Sequence, residues 1–227
     1  MTKDIELMVN PERHFTKDKK IRELKGKKLN EVIDIFKERI DNWYILVAET
    51  ILKQEDFITL SFGLMTINVI IIDLLSQYEF DKENSSGKAY QDFLKNHIPE
   101  FKSKFRNDYK VKYYHPIKKK FIQKNANNCF TDYSQAFWEG FRCGIVHNAM
   151  ILPFGRINTE PKGIIDEATW LDDKGDNRVD LEIHPIKLYH KIKEIFNEYI
   201  AKLKNPTNIP LINNFKAKFR RDFGYQI

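Results

Sequence analysis

Apolar residues along the chain fall into two periods. From Lys28 to Lys53 the positions Leu29, Val32, Ile33, Phe36, Ile40, Trp43, Tyr44 and Val47 recur at three and four, which predicts an amphipathic helix. A second helix follows over about 56–79, where FITLSFGLMTINVIIIDLL is apolar almost throughout. Its length approaches the roughly 20 residues of a membrane span. Asn68 and Asp73 argue instead for a helix buried in a helical bundle, because a carboxylate in a lone membrane helix costs about 2.5–3.5 kcal/mol. After a break at DKENSSGK the pattern predicts helices over 90–96, 100–114 and 117–123, then one from Thr131 to about Met150 that Pro153 must end. Over 164–183 the period changes to two: Val179, Leu181 and Ile183 alternate with Asp180 and Glu182, Ile164 to Trp170 offers a partner, and DDKGDN makes the turn. A last long helix runs from Ile186 to Leu203. The expectation is a mainly all-α chain, a single helical domain over 1–227. It carries a basic amino-terminal arm (1–27), a β-hairpin insertion (164–183) and a basic carboxy-terminal tail (206–227).

Composition adds exclusions. With 42% hydrophobic and 31% charged residues in 227, the chain is too apolar for disorder and too poor in cysteine for a disulfide scaffold. Cys129 and Cys143 fit a reduced, cytoplasmic compartment, and the amino terminus lacks the apolar core of a signal peptide. DDKGDN resembles a calcium loop only in its acidity, because its glycine is misplaced and no helices flank it, so no metal and no cofactor is expected.

The net charge of +6 is concentrated. Between Phe101 and Lys124 nine basic residues face Asp108 alone, a local +8, so the other 203 residues sum to −2. Phe101, Phe105, Tyr109 and Tyr113 recur every four residues beside Lys102, Arg106 and Lys110, and Lys118, Lys119 and Lys120 follow. On a helix this is an aromatic stripe next to a cationic one. It suits single-stranded RNA, and equally it suits a core-facing stripe with a solvated back.

Common nucleotide, zinc and hydrolase motifs are absent from the sequence, and one constellation remains: FWEGFRCGIVHNAMI, 137–151. At 100° per residue Ala136, Gly140, Cys143, Gly144 and His147 share an arc of about 100°, and Arg142 points roughly 140° away from His147. Glycines inside a helix cost about 0.8–1 kcal/mol each against alanine, so Gly140 and Gly144 require an offsetting close contact. Either another helix of the bundle packs there, with His147 a satisfied interior residue, or a second copy of the helix does, with Ala136, Gly140 and Gly144 as the dimer interface.

Arg142-Cys-Gly-Ile-Val-His147 resembles the R-x4–6-H motif of the HEPN superfamily, and the layout of helices, hairpin and final long helix resembles some of its bacterial branches. That resemblance implies an up-and-down helical bundle dimerised through its motif helices, and a metal-independent endoribonuclease. The RNA's own 2′-hydroxyl attacks, leaving a 2′,3′-cyclic phosphate, often in a toxin or a phage-defence component. His147 is then the proton-transfer residue and Arg142 the phosphate ligand, roles that suit an imidazole and a planar guanidinium. The nearby helix carboxy terminus favours the imidazolium. Glu139, Asn148 and Asp73 are candidate supports, Asp73 as a partner for Arg142. Active members usually carry a polar residue after the arginine, where this chain has Cys143. Two other functions follow from that departure and from the glycine face: an inactive HEPN domain that binds RNA or a partner protein, and a structural dimerisation module. The partners implied are RNA, a second copy and a cognate antitoxin, with no membrane.

Overall fold

A computed structural model describes residues 10–54, 57–105, 110–115, 120–125, 130–172, 175 and 177–227, with backbone alone at 57–58, 110–115, 120–125 and 177. The described chain is mostly helical with a small three-stranded sheet. It divides into two compact units: residues 1–90 with 189–227, and residues 91–188.

In the first unit the amphipathic stretch forms α1 (Leu29–Ile40), a π-helical turn (Asp41–Ile45) and α2 (Leu46–Leu52). The apolar helix follows as α3 (Phe57–Glu79). Its segment Thr59–Glu79 is long and apolar enough to cross a membrane by length and composition; here Leu64, Met65, Val69, Ile72 and Leu75 are fully buried. The helix expected over 186–203 is α7 (Pro185–Lys204), as the spacing requires; α4 (Gly87–His97) precedes it in the chain.

The basic tail expected over 206–227 is instead a packed helix, α8 (Ile209–Phe223). Its start and stop are written locally, with Pro210 in the first turn and Gly224 in the left-handed conformation just past the end. Phe215 and Phe219 are fully buried, Phe215 against Phe36 and Tyr78 at 5.4 and 5.5 Å between ring centres. Lys218, also buried, donates to the Glu83 carbonyl and to Asp222. The expected amino-terminal arm is likewise held: Phe15 is fully buried between Phe219 and Phe223, and Ile21 and Leu24 are buried on a 3-10 turn (Ile21–Leu24).

The second unit departs most from the sequence expectation. Where helices are expected over 100–114 and 117–123, the described residues form no α-helix. A 3-10 turn (Pro99–Lys102) ends at an extended Ser103, and β1 (Lys110–His115) then pairs antiparallel with β2 (Lys120–Asn125), Tyr113 opposite Ile122. Residues four apart share a face in a strand as well as on a helix, so the aromatic spacing could not distinguish the two. Rings early in the stripe serve the core: Phe101 and Phe105 are buried, Phe101 against Phe137 at 5.2 Å and Phe105 against Tyr133 at 5.8 Å.

The motif segment follows as α5 (Tyr133–Phe137), a π-helical turn (Trp138–Cys143) and α6 (Gly144–Asn148). The hairpin expected over 164–183 is present as β4 (Ile165–Leu171) and β5 (Asn177–Ile183), with Ile165 opposite Ile183. A short strand, β3 (Gly155–Ile157), adds in parallel to the other side of β5, giving the order β3-β5-β4. Pro153 and Gly155 concealed it in the sequence.

Candidate functional site

The motif helix is fixed at both ends. At its start Asp132 caps α5, accepting from the Gln135 amide at 3.0 Å and the Ser134 hydroxyl at 2.6 Å, and pairs with Lys95 at 2.8 Å. Burial pushes the Asp132 carboxyl up, but the bonds from Lys95, Ser134 and the Gln135 amide outweigh it and hold the group below its ordinary range. Tyr133 adds a tie to the sheet: its hydroxyl donates to Glu167 at 2.9 Å, and burial together with that carboxylate pushes the phenol well up.

At the other end the chain reverses on Ala149, a non-glycine residue at φ 53°. It then runs back along the helix: the Met150 amide donates to the Gly144 carbonyl at 3.3 Å and the Leu152 amide to the Gly140 carbonyl at 3.0 Å. This return strand fills the small-residue face. A Cβ on Gly144 would stand 2.5 Å from the Met150 carbonyl oxygen, and one on Gly140 2.7 Å from the Phe154 ring. Ala136 is fully buried as well. The face expected as a dimer interface, on Ala136, Gly140 and Gly144, is therefore met within the chain, and the close contact that offsets two helical glycines comes from residues 150–154.

The motif residues meet. Arg142 Nη1 lies 3.1 Å from His147 Nε2, where a straight α-helix places the two Cβ directions about 140° apart. Two features close the gap: the π turn underwinds the helix at Arg142, and the long side chain reaches along the surface. Arg142 keeps only 8% of its surface exposed, and its guanidinium carbon stands 4.7 Å from the centre of the Trp138 ring, a cation–π contact one turn earlier. His147 is exposed. Phe137 and Phe141 stack at 4.9 Å and 15° and anchor the same turn to the core. A buried guanidinium under an indole, with one edge on an exposed imidazole, can grip an anion and move a proton beside it.

Glu139 is exposed within the π turn and Asn148 is exposed at the end of α6. Asp73, offered as a partner for Arg142, accepts from the Ser85 hydroxyl at 2.6 Å and from Gln77 at 3.3 Å, both in its own unit. Of the basic residues, Lys102 is exposed on the 3-10 turn and Lys110 and Lys120 open the two strands of the hairpin, while Arg106, Lys118 and Lys119 lie outside the described residues. The packing of Phe101 on Phe137 sets the start of the basic segment beside the motif helix. Among the described residues no group of three or more histidine, cysteine, aspartate or glutamate side chains could hold a metal ion. Sequence reasoning missed Trp138; its signal was an aromatic four residues before the motif arginine, the spacing at which helical side chains meet. Compared with protein-family models, with curated proteins and with solved structures, the chain matches none.

Proposed function

We propose that the chain is a HEPN-type, metal-independent endoribonuclease that works as a homodimer in the cytoplasm. It cleaves RNA by attack of the 2′-hydroxyl and serves as a toxin or a phage-defence component held by a cognate antitoxin. One observation carries the reading: Arg142 and His147, five residues apart, converge to 3.1 Å with the imidazole at the surface. A guanidinium offers two parallel donors to a phosphodiester, and an imidazole beside it can exchange protons with the attacking or leaving oxygen. Lys102 is exposed at the start of a basic segment whose charge suits an RNA backbone. With the glycine face filled, the pairing surface is the end of α6, where Val146 and Met150, 48% and 50% exposed, flank His147.

Pure protein incubated with mixed RNA in EDTA should yield fragments ending in 2′,3′-cyclic phosphate. His147→Ala should slow cleavage by about 10²–10⁴, the contribution of a positioned proton-transfer group, and Arg142→Ala by a similar factor. RNA left equally intact by wild type and both variants ends the enzyme reading for those substrates. RNA that is bound and uncut, with binding that falls steeply with salt, supports an inactive RNA-binding domain instead.

A further inference from the structure

The hydrogen bond between Arg142 and His147 constrains the imidazole. A guanidinium carries five N–H donors, no acceptor and a permanent charge. At 3.1 Å from Nη1, the Nε2 atom of His147 is the accepting atom of this bond, so the bond is made by the Nδ1–H form of the imidazole and not by the imidazolium expected from the helix terminus. In that state the lone pair is occupied, and it cannot also accept from a ribose hydroxyl.

We propose that this bond is the resting cap of an exchangeable pair, in which an incoming phosphate takes the Arg142 guanidinium from His147 and Trp138 holds the guanidinium in register while it changes partner. The inference rests on reading the pair as a phosphodiester site. The exchange is favourable in direction: a charged phosphate oxygen forms roughly twice as strong a bond to a guanidinium as a neutral acceptor does. It frees Nε2 where the anion has just bound, which couples occupancy of the site to availability of the base. Trp138 provides the fixed surface. Its ring lies 4.7 Å from the guanidinium carbon, one turn earlier on the same helix, where it can hold the guanidinium in place as the partner of Nη1 changes. Trp138 is thus a positioning residue, acting through Arg142.

The test uses the full chain and inorganic phosphate at fixed pH 7.5, read by long-range proton–nitrogen NMR of the imidazole nitrogens. In the free protein His147 should show the Nδ1–H form, and phosphate should move its Nε2 resonance with saturation. Arg142→Ala should abolish both the bias toward Nδ1–H and the response to phosphate. Trp138→Leu should weaken phosphate binding about tenfold and Trp138→Phe should restore most of it. An Nε2–H form of His147 in the free wild-type chain, a measurement needing no variant, overturns the proposal, as does equal phosphate affinity in folded Trp138→Leu. RNA cleavage by a chain with the Nε2–H form would leave the ribonuclease reading standing and remove this one. The tautomer and phosphate response without cleavage would do the reverse.

Discussion

Gly144→Ala isolates the close approach on which the geometry of the site depends. In a helix open to solvent the change gains about 0.8–1 kcal/mol, because alanine loses less backbone freedom on folding than glycine. Here the new methyl meets the Met150 carbonyl oxygen at 2.5 Å, the Leu152 nitrogen at 3.2 Å and the Ile151 Cα at 3.5 Å, all backbone. Backbone cannot rotate out of the way, so the reversal at Ala149 has to shift. Overpacking of that kind costs about 1–3 kcal/mol and belongs here at its upper end; set against the helical gain, the net loss is about 1–2 kcal/mol. At roughly 2–4 °C per kcal/mol for a chain of this size, the melting midpoint falls by about 2–8 °C. Gly140→Ala meets the end of the Phe154 ring at 2.7 Å, a side chain that can tilt, so it should cost less than Gly144→Ala. Gly63→Ala is the control: its methyl meets only the Ile51 Cδ1 at 3.6 Å, so the helical gain stands and the midpoint rises by about 2–4 °C. Thermal melts by circular dichroism give the order. A Gly144→Ala chain as stable as wild type refutes the argument, and if that variant also stops self-associating, the glycine face is an interface after all.

Three further outcomes are expected. Ala149 holds φ 53°, so Ala149→Val should lose about 1–2 kcal/mol in thermal melts while Ala149→Gly stays level or gains, and the opposite order contradicts the left-handed turn. Asp132, held below its ordinary range by Lys95, Ser134 and the Gln135 amide against the upward push of burial, adds stability that is present above the unfolded carboxylate value near 4 and is lost as pH falls below it. Asp132→Asn keeps a capping oxygen, so its midpoint should drop less than wild type's between pH 7 and pH 3; an equal drop removes the role. Deleting 206–227 uncovers the pocket of Phe215 and Phe219, each worth about 1.5–3 kcal/mol of burial. The cooperative melt of the unit formed by 1–90 and 189–227 should disappear, and an unchanged melt would return α8 to the status of a tail.

Where a segment carried its own period and its own stop signals, its structure was legible. The spacing of Leu29 to Ile40, the apolar run over 57–79, the alternation of Val179, Leu181 and Ile183, and the helix that starts at Pro185 form the elements expected of them, although Val47 is exposed beyond the π turn and α8 follows the helix expected to be last. The failures have identifiable causes. Phe101 to Tyr113 satisfied two periods at once, and the β-branched and aromatic residues of KVKYYH and KFIQKN, which favour a pleated surface, were outweighed by spacing. The carboxy-terminal segment was judged by its charge, although Ile212, Phe215, Phe219 and Phe223 recur at three and four, and Pro210 and Gly224 mark its ends. The site was half legible. Arg142 and His147 stood out as residues, but helix geometry set them on different faces, because neither a π turn nor the reach of an arginine is visible in a wheel of Cβ directions. The glycine face was read correctly as a close approach and assigned the wrong occupant, since a return strand after a left-handed residue leaves no periodic signal.

Unfavourable local choices crowd into one short stretch. Between Trp138 and Ala149 the chain holds a π turn, two helical glycines, a guanidinium that is 8% exposed and an alanine in the left-handed region. The glycines forgo about 0.8–1 kcal/mol each and a left-handed alanine about 1–2 kcal/mol. Each departure bears on where Arg142 and His147 stand. The π turn alters the direction of Arg142, and the glycines let residues 150–155 lie flat and lock the end of α6. The turn at Ala149 starts that return immediately after the histidine. Local costs of this kind persist when surrounding structure over-determines them, and they collect where a geometry is used. That concentration favours a working site over a purely structural dimerisation module, which would call for the glycines but for neither the buried arginine nor its exposed imidazole partner.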